Sequence, residues 1–528
     1  MKHLFARKSI AQLHSEMLGE NRLRRVLGPL QLTSLGIGCI IGAGIFVITG
    51  IAAADKAGPA LMLSFAVSGV ACIFAALCYS EFASMVPVAG SAYTYAYATL
   101  GELAAWIIGW DLILEYTVAS SAVANSWSKH FQEFLSSFDL RIPLIISKAP
   151  FDYILAEGQF VATGAAMDLV AVAVVALLTI ILVLGIRESA SFNAVMVAIK
   201  VGVVLFVIAV GAFYVNADNW TPFAPYGLTG ISLFGHTLAG QTAPGGQPLG
   251  MLAGAAIIFF AYIGFDSVST HAEEARNPKR DVPIGIIVSL LICTVLYIAV
   301  VAVLTGMVPY DQIDPRAPVA AAFRQVGLPW AHFLISIGAL TGLTSVVLVL
   351  MLSQPRVMLA MARDGLVSER LFGNVHPRFR TPWISQIVMG LGVAGLSGLV
   401  PLAVLAELVN IGTLLAFFVV CASVLILRYT HPHAQRPFRV PFSPVLPVLG
   451  MLTTLLLMFS LPVENWYRLI VWLLVGFAIY FVYGRTHSKL RVGLVPPLLP
   501  GEEGLVREKA FEPSASVKTG MPLAEDKE

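Results

Sequence analysis

The stretch GIGCIIGAGIFVITG (Gly36–Gly50) places four glycines, Gly36, Gly38, Gly42 and Gly44, within nine residues of a segment otherwise apolar enough to cross a bilayer. Hydrocarbon offers no hydrogen-bond partner, so a spanning helix must satisfy its own backbone. Glycine weakens an exposed helix interior by about 1 kcal/mol relative to alanine. Gly38-x-x-x-Gly42 has a plain structural use, since small residues let two helices approach closely. These glycines, however, sit near the middle of the span, where non-helical backbone survives only if protein or a cavity shelters it. A second apolar run, GAAIIFFAYIGFDSVST (Gly254–Thr270), has a matching feature in Gly264 followed closely by Asp266. Runs 1 and 6 hold equivalent places if helices 1–5 and 6–10 are two repeats, and an odd number of spans per repeat makes the repeats inverted. Paired interruptions at corresponding positions point to a substrate site. Amides opening the outer half of helix 1, around Ala43 and Gly44, suit an anion. Carbonyls freed around Ile40, Phe260 and Ile263 suit a cation, so the pair suits a zwitterion.

Composition sets the frame for this reading. The chain has 528 residues, 57% of them hydrophobic and 12% charged, against about 25% charged in a soluble globular chain. Its mean hydropathy is +0.82. Apolar runs predict twelve helices, at 32–54, 60–86, 102–126, 166–184, 191–213, 251–270, 284–307, 331–361, 383–400, 403–427, 443–461 and 467–483. The eighth is long enough to overshoot a bilayer. With both termini inside, the inner segments collect Lys2, Arg7, Lys8, Arg187, Arg276, Lys279, Arg280, Arg363, Arg428, Arg436 and Arg485, among others. The outer side holds far fewer cations, Arg141 and Arg468 among them, and the loop at 214–250 has no Lys or Arg. That asymmetry orients both termini to the cytoplasm. The net charge of +2 with no basic patch argues against nucleic-acid binding. The five cysteines, Cys39, Cys72, Cys78, Cys293 and Cys421, all fall in apolar segments and form no CxxC pair, so they read as small buried hydrophobes. The first thirty residues show no cleaved signal pattern. The polar tail from about 484 to 528 reads as largely disordered and cytoplasmic.

Ionisable residues inside the spans are the next signal. Lys200, in NAVMVAIKVG, lies about ten residues or ~15 Å into helix 5. A charged lysine at that depth is expensive, and its default reading is functional rather than a side chain snorkelling to the surface. It is the candidate coupling residue, exchanging a proton. Asp266 is a candidate partner for substrate ammonium, directly or through water, or a cap on a broken helix end. Asp111 and Glu115 are four apart on helix 3 and share one face, which makes both secondary site candidates. Glu273, Glu274, Arg276, Lys279 and Arg280 read as an inner-loop gate network. His431 and His433 make no metal site by themselves.

The stretch LGIGCIIGAGIFVITG resembles the helix 1 signature of the amino acid–polyamine–organocation superfamily. PVAGSAYTYAYATLGELAAWIIGWDLILEY (Pro87–Tyr116) and FFAYIGFDSVSTHAEEARNPKRDVPIGI (Phe259–Ile286) are similar to its cationic amino acid transporter branch. The likeness runs in order from about residue 25 to residue 488 and, with twelve spans, is to bacterial members. The resemblance implies an all-α polytopic membrane protein with a LeuT-like 5+5 inverted repeat, discontinuous helices 1 and 6, and added helices 11 and 12. On that plan residues 32–213 form the first repeat, 251–427 the second, 443–483 helices 11 and 12, and 1–31 a cytoplasmic segment. It implies alternating access, an L-amino acid substrate and a bacterial cytoplasmic membrane. The substrate residues it carries over are Ile40, Gly42, Ala43, Gly44, Phe260, Ile263 and Asp266. A close pattern has Thr at the place of Ala43, so a hydroxyl contact is absent here. Proton-coupled relatives are similar in placing a lysine at Lys200, where sodium-coupled cousins hold a cation.

No HExxH, GxSxG or Walker A pattern is present, which argues against a membrane enzyme and an ATP-driven pump. No repeated carbonyl filter motif supports a channel. The expectation is therefore a proton-coupled importer of small neutral amino acids or of broad range, needing no cofactor. The alternatives are a carrier of cationic amino acids and an exchanger or uniporter without proton coupling.

Overall fold

An apolar run in hydrocarbon can close its hydrogen bonds only within itself, as a helix, and the computed structural model shows the runs doing so. It describes residues 6–9, 12–13, 23, 25–136, 138–154, 159–243, 248–314, 318–461 and 463–492. Most of the expected cytoplasmic segment at 1–31 and most of the tail at 484–528 lie outside these residues. Among the described residues, eight helices are long and apolar enough to cross a membrane and four shorter apolar ones accompany them. Together they match the twelve apolar runs of the sequence and are numbered spans 1 to 12. Span 1 is Pro29–Ile40 followed, after a break, by Gly44–Ile48, Thr49–Ala52 and Ala53–Ala57. Spans 2 to 5 are Leu61–Met85, Glu102–Ser136, Leu169–Leu184 and Ile186–Gly211. Span 6 is Met251–Ile258 with the 3₁₀ turn Phe259–Tyr262, then a break and Ser267–Thr270. Spans 7 to 12 are Pro278–Met307, Pro329–Arg363, Trp383–Leu399, Leu402–Thr430, Val445–Ser460 and Val463–Ile479.

Span 3 packs along span 8, and span 7 runs against both span 1 and span 2. Spans 3 and 8 are 35 residues each, or ~52 Å at the helical rise, well beyond a ~30 Å hydrocarbon core. The expected end of span 3 at residue 126 is ten residues short. Stacking of Trp127 on Phe131, at 4.9 Å between centroids, carries the helix onward. Spans 11 and 12 lie at the edge, where Leu452, Leu456, Val471 and Leu474 stay exposed as the lipid-facing surface. Span 12 is fixed to span 3 by a tryptophan ladder. Trp110 stacks on Trp472 at 4.5 Å, Trp110 Nε1 donates to Trp472 O at 2.9 Å and Trp472 Nε1 to Trp110 O at 3.0 Å.

Two short helices that are not spans, Ala92–Thr99 and Pro318–Gln325, sit in the connections after spans 2 and 7. Three antiparallel two-stranded hairpins also form in the long connections after spans 3 and 5. The hydropathy pattern gave no sign of them, because they are built from backbone pairing in polar loops.

One end of the bundle is closed by buried ion pairs. Arg356, inside span 8, sends two guanidinium nitrogens to Glu274 at 2.6 and 3.2 Å. Arg363 binds Glu273 at 2.8 Å, whose carboxylate also accepts from the Leu23 amide at 3.0 Å. Lys8 pairs with Asp364, which also accepts from Tyr93 Oη at 2.5 Å. The Lys489 amide donates to Asp364 O at 3.0 Å. Both described terminal segments thus meet at the same end. The mixed-charge run after helix 6 supplies Glu273 and Glu274 to this closure.

Breaking a buried pair leaves an uncompensated charge at a cost of about 3–5 kcal/mol. Glu274→Ala therefore lowers the melting temperature of the purified protein sharply, and the double variant Glu274→Ala, Arg356→Met recovers part of the loss in the same assay.

Candidate substrate site

The glycines act where spans 1 and 6 cross. The first half of span 1 ends at Ile40, with Ile41 extended at ψ 104°, and the second half resumes as a π turn at Gly44–Ile48. A Cβ on Gly44 would lie 2.4 Å from Ala261 Cβ and 2.5 Å from Ala261 Cα, so only glycine lets the two unwound segments touch. Gly264 does the same from the other side: its φ is +115°, and a Cβ there would lie 2.4 Å from Cys39 Sγ. Tyr297 of span 7 then ties both breaks together. Its hydroxyl lies 2.6 Å from Ile40 O and 3.1 Å from Ala261 O.

A cavity opens at this crossing. It is lined by Ile40, Gly42, Ala43 and Gly44 of span 1 and by Phe260 and Ile263 of span 6, all expected from sequence. Cys39 also borders it. Spans 3 and 8 complete the wall with Ala119, Val123, Val346 and Leu350. Each of those two pairs is spaced four apart, which puts one stripe of each helix on the cavity. No lining side chain carries a charge. The cavity measures 20 Å³ for the centre of a water-sized sphere, room for about one or two waters, so an amino acid enters only when the lining moves apart.

Lys200 lies beside the cavity, fully buried. Its ammonium donates to Gly38 O at 2.8 Å, Ile41 O at 2.8 Å and Ser345 Oγ at 2.7 Å. The break in span 1 strands carbonyls at the negative end of the first half-helix, and three donors of one ammonium meet them and the span 8 hydroxyl. Span 5 adds Asn193, whose Nδ2 donates to Ser34 O at 3.2 Å.

Asp266 stands apart from the cavity lining. Its carboxylate is buried and Oδ2 accepts from Tyr116 Oη at 2.6 Å, just ahead of the short helix Ser267–Thr270. Its geometry is that of a tie between the span 6 break and span 3. Asp111 and Glu115 border a different cavity, between spans 3, 10 and 12. Sequence reasoning did not reach Tyr297, Ser345 or the four lining residues of spans 3 and 8. An apolar residue facing a cavity looks the same in sequence as one facing lipid, and a span tyrosine or serine does not announce its partner.

Gly44→Ala places a methyl group into Ala261. The expected result is a protein that still folds but no longer shows the rise in melting temperature that a bound substrate gives the parent.

Residues 27–482 match the amino acid permease family. A methylthioribose transporter of Bacillus subtilis (strain 168) is 45% identical over 490 residues, covering 93% of this chain and 100% of the relative. A branched-chain amino acid permease of the same organism is 47% identical over 488 residues, covering 92% and 99%. A vacuolar cationic amino acid transporter of Arabidopsis thaliana is 37% identical over 439 residues, covering 82% and 68%. With eight helices among the described residues long and apolar enough to cross a membrane, this chain is a membrane transporter and belongs to the amino acid permease family of the amino acid–polyamine–organocation superfamily.

Proposed function

We propose that the chain is a secondary active importer of L-amino acids with small or branched apolar side chains, working by alternating access between inverted five-span repeats, with both termini cytoplasmic. The observation that carries this reading is a single cavity bounded by the backbone of both breaks and walled by uncharged side chains. Orphan amides at the start of the outer half of span 1 take the carboxylate. Carbonyls at Phe260 and Ile263, with the second lone pair of Ile40 O, take the ammonium. Ala119, Val123, Val346 and Leu350 take the apolar side chain. A cationic side chain finds no carboxylate in the lining, since Asp266 is turned to Tyr116. The name of the branched-chain permease relative agrees with an apolar substrate, while that of the methylthioribose transporter gives the competitor to test.

Lys200 is the coupling group in this reading. As an ammonium it supplies three donors to two span 1 carbonyls and Ser345. As a neutral amine it has two donors for three acceptors, so one of the three donations is lost. Protonation then favours the arrangement in which spans 1, 5 and 8 are tied together, which is a differential interaction able to shift a conformational equilibrium. With both termini cytoplasmic in this reading, the ion pairs around Arg356 and Arg363 are the cytoplasmic closure.

Proteoliposomes test this with radiolabelled leucine, alanine, arginine and methylthioribose, with and without an inward proton gradient. Leucine or alanine accumulates under the gradient, and Lys200→Ala reduces accumulation to the level of empty vesicles while leaving a folded protein. Preferred uptake of arginine or methylthioribose overturns the substrate assignment. Uptake that ignores the gradient but requires internal amino acid establishes exchange.

A further inference from the structure

Residues 431–444 join span 10 to span 11 and are pinned to the far end of span 2. The Phe438 amide donates to Ser84 Oγ at 3.2 Å and the Val440 amide to Glu81 Oε2 at 2.7 Å. Span 2 leads on to the short helix Ala92–Thr99, where the Tyr97 carbonyl accepts from the Lys8 amide at 3.4 Å. The connection therefore lies at the end of the bundle where the terminal segments meet. From 428 to 445 the chain carries Arg428, Arg436 and Arg439 and no acidic residue. Among the described residues Glu81 is the carboxylate that answers them. It accepts from Arg428 Nε at 3.2 Å and Nη2 at 2.5 Å, and Arg436 Nε lies 3.2 Å from its Oε1. Arg436 is otherwise turned inward, donating to Ala434 O at 2.8 Å and His431 O at 2.9 Å. Two guanidiniums on one carboxylate leave one positive charge. Exposed Arg439 adds a second, close enough to repel Arg436.

An apolar surface begins beside this charge. Phe442 is 81% exposed and held at φ +47°, a left-handed conformation that is an outlier for a bulky aromatic residue. Its carbonyl accepts from the Val445 amide at 2.8 Å, where span 11 opens. Span 11 then exposes Val445, Leu449, Leu452 and Leu456, spaced three or four apart on one lipid-facing side. Phe442 carries that surface along the chain towards Arg439. An excess of arginine at one end orients a membrane chain, but orientation needs no fixed geometry. Here the arginines are held by span 2 at the level where the apolar stripe ends.

We propose that the junction of spans 2, 10 and 11 binds one anionic phospholipid, with the phosphate on Arg439 and on the exposed edge of Arg428 and the acyl chains along Phe442 and span 11. Guanidinium is the side-chain group whose planar fork best matches phosphate oxygens. A lipid with one net negative charge halves the local excess, whereas a zwitterionic lipid brings its own cation and leaves it unchanged. A free phosphate satisfies the arginines alike but leaves Phe442 and Val445 uncovered. The site involves neither the substrate cavity nor Lys200.

The test is the melting temperature of the purified full-length protein, without substrate, in phosphatidylcholine nanodiscs with increasing phosphatidylglycerol at fixed ionic strength. Phosphatidylglycerol raises it in the parent. Arg439→Gln needs about fivefold more of the anionic lipid for the same rise, the effect of one arginine near an anionic surface, and Phe442→Ser also diminishes the rise. Arg370→Gln removes an exposed arginine from the short helix Glu369–Phe372 at the same end and keeps the parent's response. Inorganic phosphate added to phosphatidylcholine nanodiscs gives no comparable rise. A parent that does not respond, or a response unchanged in both Arg439→Gln and Phe442→Ser, overturns the proposal. So does an equal loss in Arg370→Gln, which makes the effect one of general surface charge, or an equal rise with inorganic phosphate, which makes the ligand a free anion.

Discussion

One contact organises the centre of this molecule: the Lys200 ammonium on the carbonyls of Gly38 and Ile41 and on the Ser345 hydroxyl. A membrane helix cannot be interrupted unless something satisfies the backbone groups set free. The lysine does that for the first half of span 1 and draws spans 1, 5 and 8 to one point. Tyr297 does comparable service for the span 1 and span 6 breaks together. With those two polar side chains in place, the segments around Ala43 and Ile263 can face a cavity rather than each other's helices. The close approach of Gly44 to Ala261 and of Gly264 to Cys39 then sets how narrow that cavity is.

Much of this was legible in the residues. Glycines clustered in mid-span, Gly264 with Asp266 at the matching place in the second half, and a lysine far from either surface each break the rule of an apolar self-satisfied helix. Broken rules of that kind are visible one chain at a time. The walls of the cavity were not visible. Ala119, Val123, Val346 and Leu350 obey every rule of a membrane helix, and only the packing of span 3 along span 8 decides that they face inward. Asp266 shows the same limit from the other direction. Its position beside Gly264 was readable, but its partner, Tyr116, lies on another span and depends on the crossing of spans 3 and 6. Span 12 begins four residues before its hydropathy suggests, with Val463, Glu464 and Asn465 in its first turn, because the polar Glu464 and Asn465 dilute the apolar signal at its start.

Energetically the molecule is asymmetric along the membrane normal. The end where the terminal segments meet is closed by buried ion pairs at Glu273, Glu274 and Asp364. Such pairs contribute little net stability compared with apolar packing, yet each is costly to break singly. They suit a closure that opens as a unit when all its partners part together, and not one that frays. The small volume at the span 1 and span 6 crossing fits a conformation in which the site is contracted while that end is shut.

Recognition of both charged ends of the substrate by backbone groups is the central claim, and a comparison of analogues reaches it most directly. The rise in melting temperature of the purified protein is measured with leucine, with leucinamide, which lacks the carboxylate, and with 4-methylpentanoate, which lacks the ammonium. Amides at Ala43 and Gly44 and carbonyls at Phe260 and Ile263 predict stabilisation by leucine and by neither analogue. Stabilisation by an analogue as large as that by leucine contradicts the assignment of the corresponding end of the site.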